Sequence, residues 1–112
     1  MTASLELSRK LYELSGWYDC SHVWKDDIPQ RMYEMSTQDN CYPAYDLGYL
    51  LRKLPKQLDN GGLLYLNTTI DGKWSCGHRG TYYKQGNTPE NAACSLAIKL
   101  FEQNILKKET SK

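Results

Sequence analysis

An Asp-Gly dipeptide between two strand-like runs is the feature of this chain that most constrains its fold. Asp71 and Gly72 follow the run Leu63–Ile70 and precede the run Lys73–Lys84. Asp-Gly in this position is typical of a two-residue type I′ turn, because both turn residues need a positive φ. The dipeptide therefore predicts an antiparallel β-hairpin at the centre of the domain.

The same turn type predicts the register of the hairpin, and with it the composition of its two faces. A two-residue loop predicts the cross-strand pairs Thr69–Trp74, Asn67–Cys76 and Tyr65–His78. In this register the leucines of the first strand form the core face. Cys76 and His78 are then expected on the opposite face, beside tyrosine and asparagine.

Three segments carry helix signals. The first runs from Ala3 to Ser15, with an apolar stripe at helical spacing and Gly16 as its stop. The second starts at an N-cap, Asp46, and ends before Pro55. The third starts at the N-cap Thr88, which is followed by a proline and a long apolar face. Three helices are therefore expected.

The segments between the helices are expected to supply the remaining strands. Trp17–Lys25 is rich in aromatic residues and reads as a strand that ends in a turn at 26–29, whereas 30–40 is compatible with a short strand or a loop. The predicted fold is α+β: a small antiparallel sheet of three to four strands, packed by about three helices in a two- or three-layer sandwich. Residues 1–106 are expected to form one domain, followed by a polar tail at 107–112.

Composition excludes several classes of function. Fourteen basic and 13 acidic side chains leave a formal net charge of +1, whereas a dedicated DNA-binding domain normally carries a basic stripe. No targeting segment and no run of about 18 apolar residues is present. We therefore expect a cytoplasmic protein without membrane contact or sequence-specific DNA binding, and with its four cysteines as thiols.

Two Cys-x-His pairs suggest a metal site. Cys20 with His22, and Cys76 with His78, could together supply the four ligands that a structural zinc ion prefers. Two arguments oppose zinc: same-face residues on a flat strand lie ~7 Å apart, and the Cys-x2-4-Cys spacing of zinc ribbons is absent. Ordinary packing with hydrogen-bonded histidines is the alternative. A Cys–His hydrolase is a further alternative, but no nucleophile motif surrounds either cysteine.

Aromatic and cationic residues cluster on the strand-like segments and form the predicted binding surface. Such a set can stack a nucleobase and pair with a phosphate, or it can anchor a protein partner. Part of the set is also expected to line the core. Its members are Tyr18, His22, Trp24, Tyr65, Trp74, His78, Arg79, Tyr82, Tyr83 and Lys84.

Four stretches of the chain, at 5–17, 43–55, 87–93 and 98–101, resemble a group of small accessory proteins encoded by bacteriophages and prophages. The layout is similar to the phage "ABA sandwich" domain, with its central hairpin carrying a tryptophan and its last helix opening on Thr-Pro. The resemblance covers roughly half of the chain, and its motifs are signals of fold and not of catalysis.

The resemblance implies a function of binding. Small phage accessory proteins often block a host defence protein or sequester the nucleotide signal that a defence system uses. We therefore expect a non-enzymatic inhibitor of bacterial antiviral defence in the host cytoplasm, without a cofactor. Protein blocking is favoured slightly over nucleotide sequestration, and the sequestration mode implies a homo-oligomer. The alternative is a zinc-stabilised domain with a role in phage gene expression or assembly.

Overall fold

Side-chain caps define where the helices begin. In this computed structural model the described residues are 2–17, 22–25, 28–31 and 41–107, and only the backbone is described for 22–25, 28–31, 41 and 42. Within these ranges the helices are α1 Leu5–Ser15, α2 Leu47–Lys53 and α3 Pro89–Glu102. The side chains of Ser4, Asp46 and Thr88 each accept a hydrogen bond from a main-chain N–H three residues later. Each cap satisfies a donor that the first helical turn leaves unpaired.

Six strands in the described ranges form two antiparallel sheets. One sheet contains β1 His22–Lys25, β2 Ile28–Arg31 and β3 Cys41–Pro43, in the order β2-β1-β3. The other contains β4 Leu64–Thr68, β5 Trp74–His78 and β6 Tyr83–Gly86, in the order β4-β5-β6. The predicted α+β class is confirmed, although the strands divide into two three-stranded sheets and not one.

The first sheet differs in detail from the predicted strand at 17–25. Only 22–25 of that range is strand, residues 18–21 lie outside the described part of the chain, and Trp17 is buried in the core. Ile28 and Pro29, predicted to end a strand, instead lie in β2 and pair with Lys25 and Trp24. Proline is tolerated there because β2 is an edge strand, where a missing N–H breaks no internal ladder. The predicted turns at 26–27 and 37–40 lie outside the described residues.

The β4–β5 hairpin exists as predicted, but its register is shifted by one residue. Leu66 pairs with Cys76, and Leu64 pairs with His78. Residues 70–72 form a three-residue loop, which Thr69 closes by donating its N–H to the Lys73 carbonyl at 2.7 Å. Side chains alternate between the two faces along a strand. A shift of β5 by one residue relative to β4 therefore moves every β5 side chain to the other face of the sheet, as seen from β4. The prediction that Cys76 and His78 lie opposite the leucines is therefore wrong.

The longer loop has a physical basis in the hairpin itself. Gly72 has φ = 85°, the left-handed conformation that a three-residue loop requires at its last position. The Thr69 hydroxyl donates to the Asp71 carboxylate and accepts from the Lys73 N–H at 3.1 Å. These bonds satisfy loop groups that a two-residue turn would have placed differently. Asp-Gly is compatible with both loop lengths.

A second hairpin divides the predicted strand at 73–84. His78 donates its N–H to the Tyr82 carbonyl at 2.9 Å, and Thr81 donates to the His78 carbonyl at 3.1 Å. Gly80 lies inside this turn with φ = 80°. The turn reverses the chain, so that Tyr83 is the first residue of β6 and Tyr82 immediately precedes it.

Helix α3 is the centre of the core, because it packs against α1, α2, β5 and β6. The buried residues of its apolar face include Ala92, Ala93, Leu96, Ala97, Leu100 and Phe101. Gly86 permits the close approach of β6, since a Cβ there would lie 2.7 Å from the Ala92 nitrogen. Within the described ranges, no helix is long and apolar enough to cross a membrane.

Candidate binding cleft

The β4–β5–β6 sheet has two chemically different faces. Its core face packs on α3 and carries Leu64, Leu66, Cys76 and His78. The residues in between form the other face, called here the outer face. The cross-strand rows of the outer face are Tyr65–Gly77–Tyr83 and Asn67–Ser75–Gln85.

The outer face holds a cleft of about 490 Å³. From the central strand the lining includes Ser75, which is buried, and His78. The walls include Tyr65 on β4 and Tyr83 on β6, and the turn 79–81 closes one end. Small residues between larger ones leave a concave surface. The volume lies in the range of small-molecule sites, which is about 300–1,000 Å³.

Gly77 determines the shape of this cleft. A Cβ at Gly77 would lie 2.5 Å from the Tyr83 Cβ and 2.6 Å from the Tyr82 carbonyl oxygen. Only glycine therefore allows β6 to approach β5 this closely. The approach brings Tyr83 to the edge of the cleft, where 58% of its surface is exposed to solvent.

The two ends of the cleft differ in charge. Arg79 lies at the turn end, and no carboxylate belongs to the described residues that line the cleft. Neither ion pair among the described residues involves Arg79. At the other end Thr69 donates to the carboxylate of Asp71, and this hydrogen bond lowers the pKa of Asp71 from its ordinary value. The charge of Lys73 also lowers this pKa, so Asp71 and Lys73 offset each other at that end, whereas Arg79 has no such partner among the described lining residues.

The structure brings part of the predicted binding surface together. Tyr65, Arg79 and Tyr83 line the cleft. His78 also borders the cleft, but its imidazole is buried on the core side and bonds to the carbonyl of Pro55. Tyr18 lies outside the described residues, as do the side chains of the predicted residues in β1, His22 and Trp24.

The other members of the predicted surface lie elsewhere. Trp74 is half-buried and packs against the core, and Lys84 is exposed opposite Cys76, on the core side of the sheet. The Tyr82 ring lies 5.7 Å from the Lys99 Nζ, and its hydroxyl donates to Gln103 at 3.4 Å. Tyr82 lines a second cleft of about 510 Å³, which the residues after α3 and the segment after α2 enclose. The predicted surface is therefore divided between two sides of the sheet.

The predicted zinc ligands Cys76 and His78 do share one face of β5, but that face is the core. His78 is 1% exposed and donates from Nε2 to the Pro55 carbonyl at 2.7 Å, while Nδ1 has no partner among the described residues. Cys20 and the side chain of His22 lie outside the described residues. No group of three or more possible ligands occurs in the part of the chain that is described. The four-ligand zinc site stays a prediction.

We expect the thiols of Cys76 and Cys94 to react slowly in the folded protein. Burial raises the pKa of Cys76 from 9.0 to about 11 and also raises the pKa of Cys94. Because the pKa is higher by about 2 (11 − 9), the fraction of Cys76 that is thiolate at pH 8 is lower by about 100-fold. A time course of iodoacetamide labelling, followed by peptide mass spectrometry, should show Cys76 at least this much slower than in urea. Equal rates in the two states would contradict the burial and restore the thiol-hydrolase alternative.

The polar residues that line the cleft were not predicted from the sequence. Asn67, Thr69, Ser75 and Thr81 supply hydroxyl and amide groups around the tyrosines. Their alternation with apolar residues is visible in the sequence, but this alternation identifies a face of the sheet only once the register is known.

Comparisons of the chain with protein-family models, with curated proteins and with solved structures found no match.

Proposed function

We propose that this chain acts by binding and not by catalysis, and that the outer-face cleft is its binding site. The observation that supports this proposal is the composition of the cleft. Two tyrosines line the cleft, hydroxyl and amide groups surround them, and one arginine lies at the end. Such a set offers stacking area and hydrogen bonds, which are the usual components of a recognition site.

The lining gives no support to acid–base or thiol catalysis. The described lining residues include neither a carboxylate nor a cysteine. The imidazole of His78 is held against Pro55 on the core side. General acid–base catalysis needs a titratable group within hydrogen-bond reach of the reacting atom. A binding role is consistent with these residues.

The target that we propose is a component of a bacterial antiviral defence system. The ground for this choice is the resemblance of four stretches of the chain to phage accessory proteins. The cleft adds a preference between the two modes of inhibition. Its volume of about 490 Å³ suits a small ligand better than a flat protein surface. Sequestration of a small signal is therefore favoured over protein blocking, which the sequence favoured slightly.

A plaquing assay tests this proposal. Bacteria carrying single antiviral defence systems are infected with and without the chain, and plaquing efficiency is compared. We expect the chain to restore plaquing against at least one system. The double variant Tyr65→Ala/Tyr83→Ala should lose this effect by about 10-fold or more, because tyrosine anchors dominate binding energy.

The variant Ile70→Ala is the matched control, since Ile70 is fully exposed at the hairpin loop, outside the cleft. It should inhibit defence like the parent chain. If no system is inhibited, the assignment to defence is wrong. If the double variant, folded by circular dichroism, inhibits as well as Ile70→Ala, the cleft is not the binding site.

A further inference from the structure

We propose that the outer-face cleft binds a nucleoside 5′-monophosphate, with the base between Tyr65 and Tyr83 and the phosphate at Arg79. This inference rests on the proposed function and names the ligand class of the same site. Three features of the cleft carry it: the tyrosine pair, the single cation and the uncharged polar groups between them.

Two tyrosines of the cleft offer area for stacking. Tyr65 and Tyr83 both line the cleft, and both are in register with Gly77, on opposite sides of the central strand. Tyr83 is 58% exposed and is therefore accessible to a ligand. An aromatic ring of a ligand can stack on side chains of this kind.

Arg79 lies at one end of the cleft that holds the two tyrosines, in the turn that follows β5. A phosphate that is joined to a stacked base through a ribose can reach toward that end. The main chain of Arg79 is fixed because its N–H donates to the Leu63 carbonyl at 3.2 Å. A guanidinium with no ion-pair partner among the described residues is available for a phosphate, which it can bind through two parallel hydrogen bonds.

The position of Arg79 orients the ligand. At the hairpin end the charges of Asp71 and Lys73 offset each other, so that end attracts a phosphate less than Arg79 does. Asn67 and Ser75, which pair across β4 and β5, lie between the tyrosine row and that end. They can donate to and accept from the edge of a base or a ribose hydroxyl. The single cation suits one phosphate better than the several phosphates of a nucleic acid backbone.

Calorimetric titration with four probes tests the proposal: adenosine 5′-monophosphate, adenosine, ribose 5-phosphate and inorganic phosphate. We expect the monophosphate to bind tightest, since only it engages both the tyrosines and Arg79. Arg79→Ala should weaken the binding of the monophosphate about 10-fold to 100-fold, which is the usual effect of losing a charged hydrogen bond. The same variant should leave adenosine unchanged. Tyr83→Ala should weaken both adenosine and its monophosphate.

Lys84→Ala and Tyr82→Ala are the matched controls, because both residues lie next to Tyr83 in the chain but outside the cleft. Neither should change the affinity. Binding of phosphate and ribose 5-phosphate as tight as that of the monophosphate would overturn the stacking role. Unchanged monophosphate affinity in Arg79→Ala, or no binding of the monophosphates of all four common bases, would overturn the proposal.

The two proposals fail separately. If no monophosphate binds but the tyrosine double variant still loses inhibition of defence, the cleft is a binding site for another ligand class. If the monophosphate binds as expected but no defence system is inhibited, the ligand class stands and the assignment to defence is wrong.

Discussion

Replacing Trp17 with alanine is expected to lower the free energy of unfolding by about 3–5 kcal/mol, the largest effect of any substitution considered for this chain. Trp17 is only 4% exposed. Its ring meets Phe101 edge-on at 5.2 Å between centroids and Tyr49 at 6.3 Å. Lys53 Nζ lies 5.5 Å from the ring centroid. The substitution removes both burial and aromatic contacts, and it opens a cavity between α2 and α3.

Urea unfolding followed by circular dichroism measures this effect. Trp17→Phe keeps one ring in the site and should lose less stability than Trp17→Ala. Ile70→Ala is the exposed control and should unfold like the parent chain, because Ile70 is fully exposed. A midpoint for Trp17→Ala equal to that of Ile70→Ala would show that Trp17 does not hold the helices together.

Replacing Gly77 with alanine is expected to lower the free energy of unfolding by about 1–3 kcal/mol, as overpacking does in a close-packed core. The added Cβ would lie 2.5 Å from the Tyr83 Cβ, 2.6 Å from the Tyr82 carbonyl oxygen and 2.7 Å from the Tyr83 Cα. Two of these three atoms belong to the backbone, so relief requires β6 to move and not merely a side chain to rotate. Displacement of β6 also moves Tyr83, which lines the cleft.

The matched control for Gly77→Ala is Gly48→Ala, at an exposed position of α2. The nearest atoms to a Cβ there are Arg52 Nη1 at 3.5 Å and Asp46 Oδ1 at 3.6 Å, both ordinary contacts. Alanine should raise the free energy of unfolding by about 0.5–1 kcal/mol, because glycine costs entropy in a helix. The midpoints of thermal or urea unfolding should therefore shift in opposite directions for the two variants. A midpoint for Gly77→Ala equal to or above that of the parent chain would show that the close approach at Gly77 is not a constraint.

The candidate site was only partly predictable from the sequence. Tyr65, Arg79 and Tyr83 were predicted to bind because aromatic and cationic side chains on strands favour recognition, and all three line the cleft. Trp74 and Tyr82 satisfied the same criterion but pack toward α3 and the core. The criterion does not separate them, because residue type is independent of the face on which a strand places it.

The sequence by itself determined the starts of α2 and α3 and the existence of the central hairpin, whereas α1 begins at Leu5 and not at the predicted Ala3. Caps such as Asp46 and Thr88 act on an N–H three residues away, so their effect needs no distant partner. The tertiary structure alone decided the faces of the sheet. Asp71-Gly72 is compatible with two loop lengths, and the longer loop lets the leucines of β4 and Cys76 pack together against α3. Burial of one apolar face selects the register, and that selection places the tyrosines on the outer face.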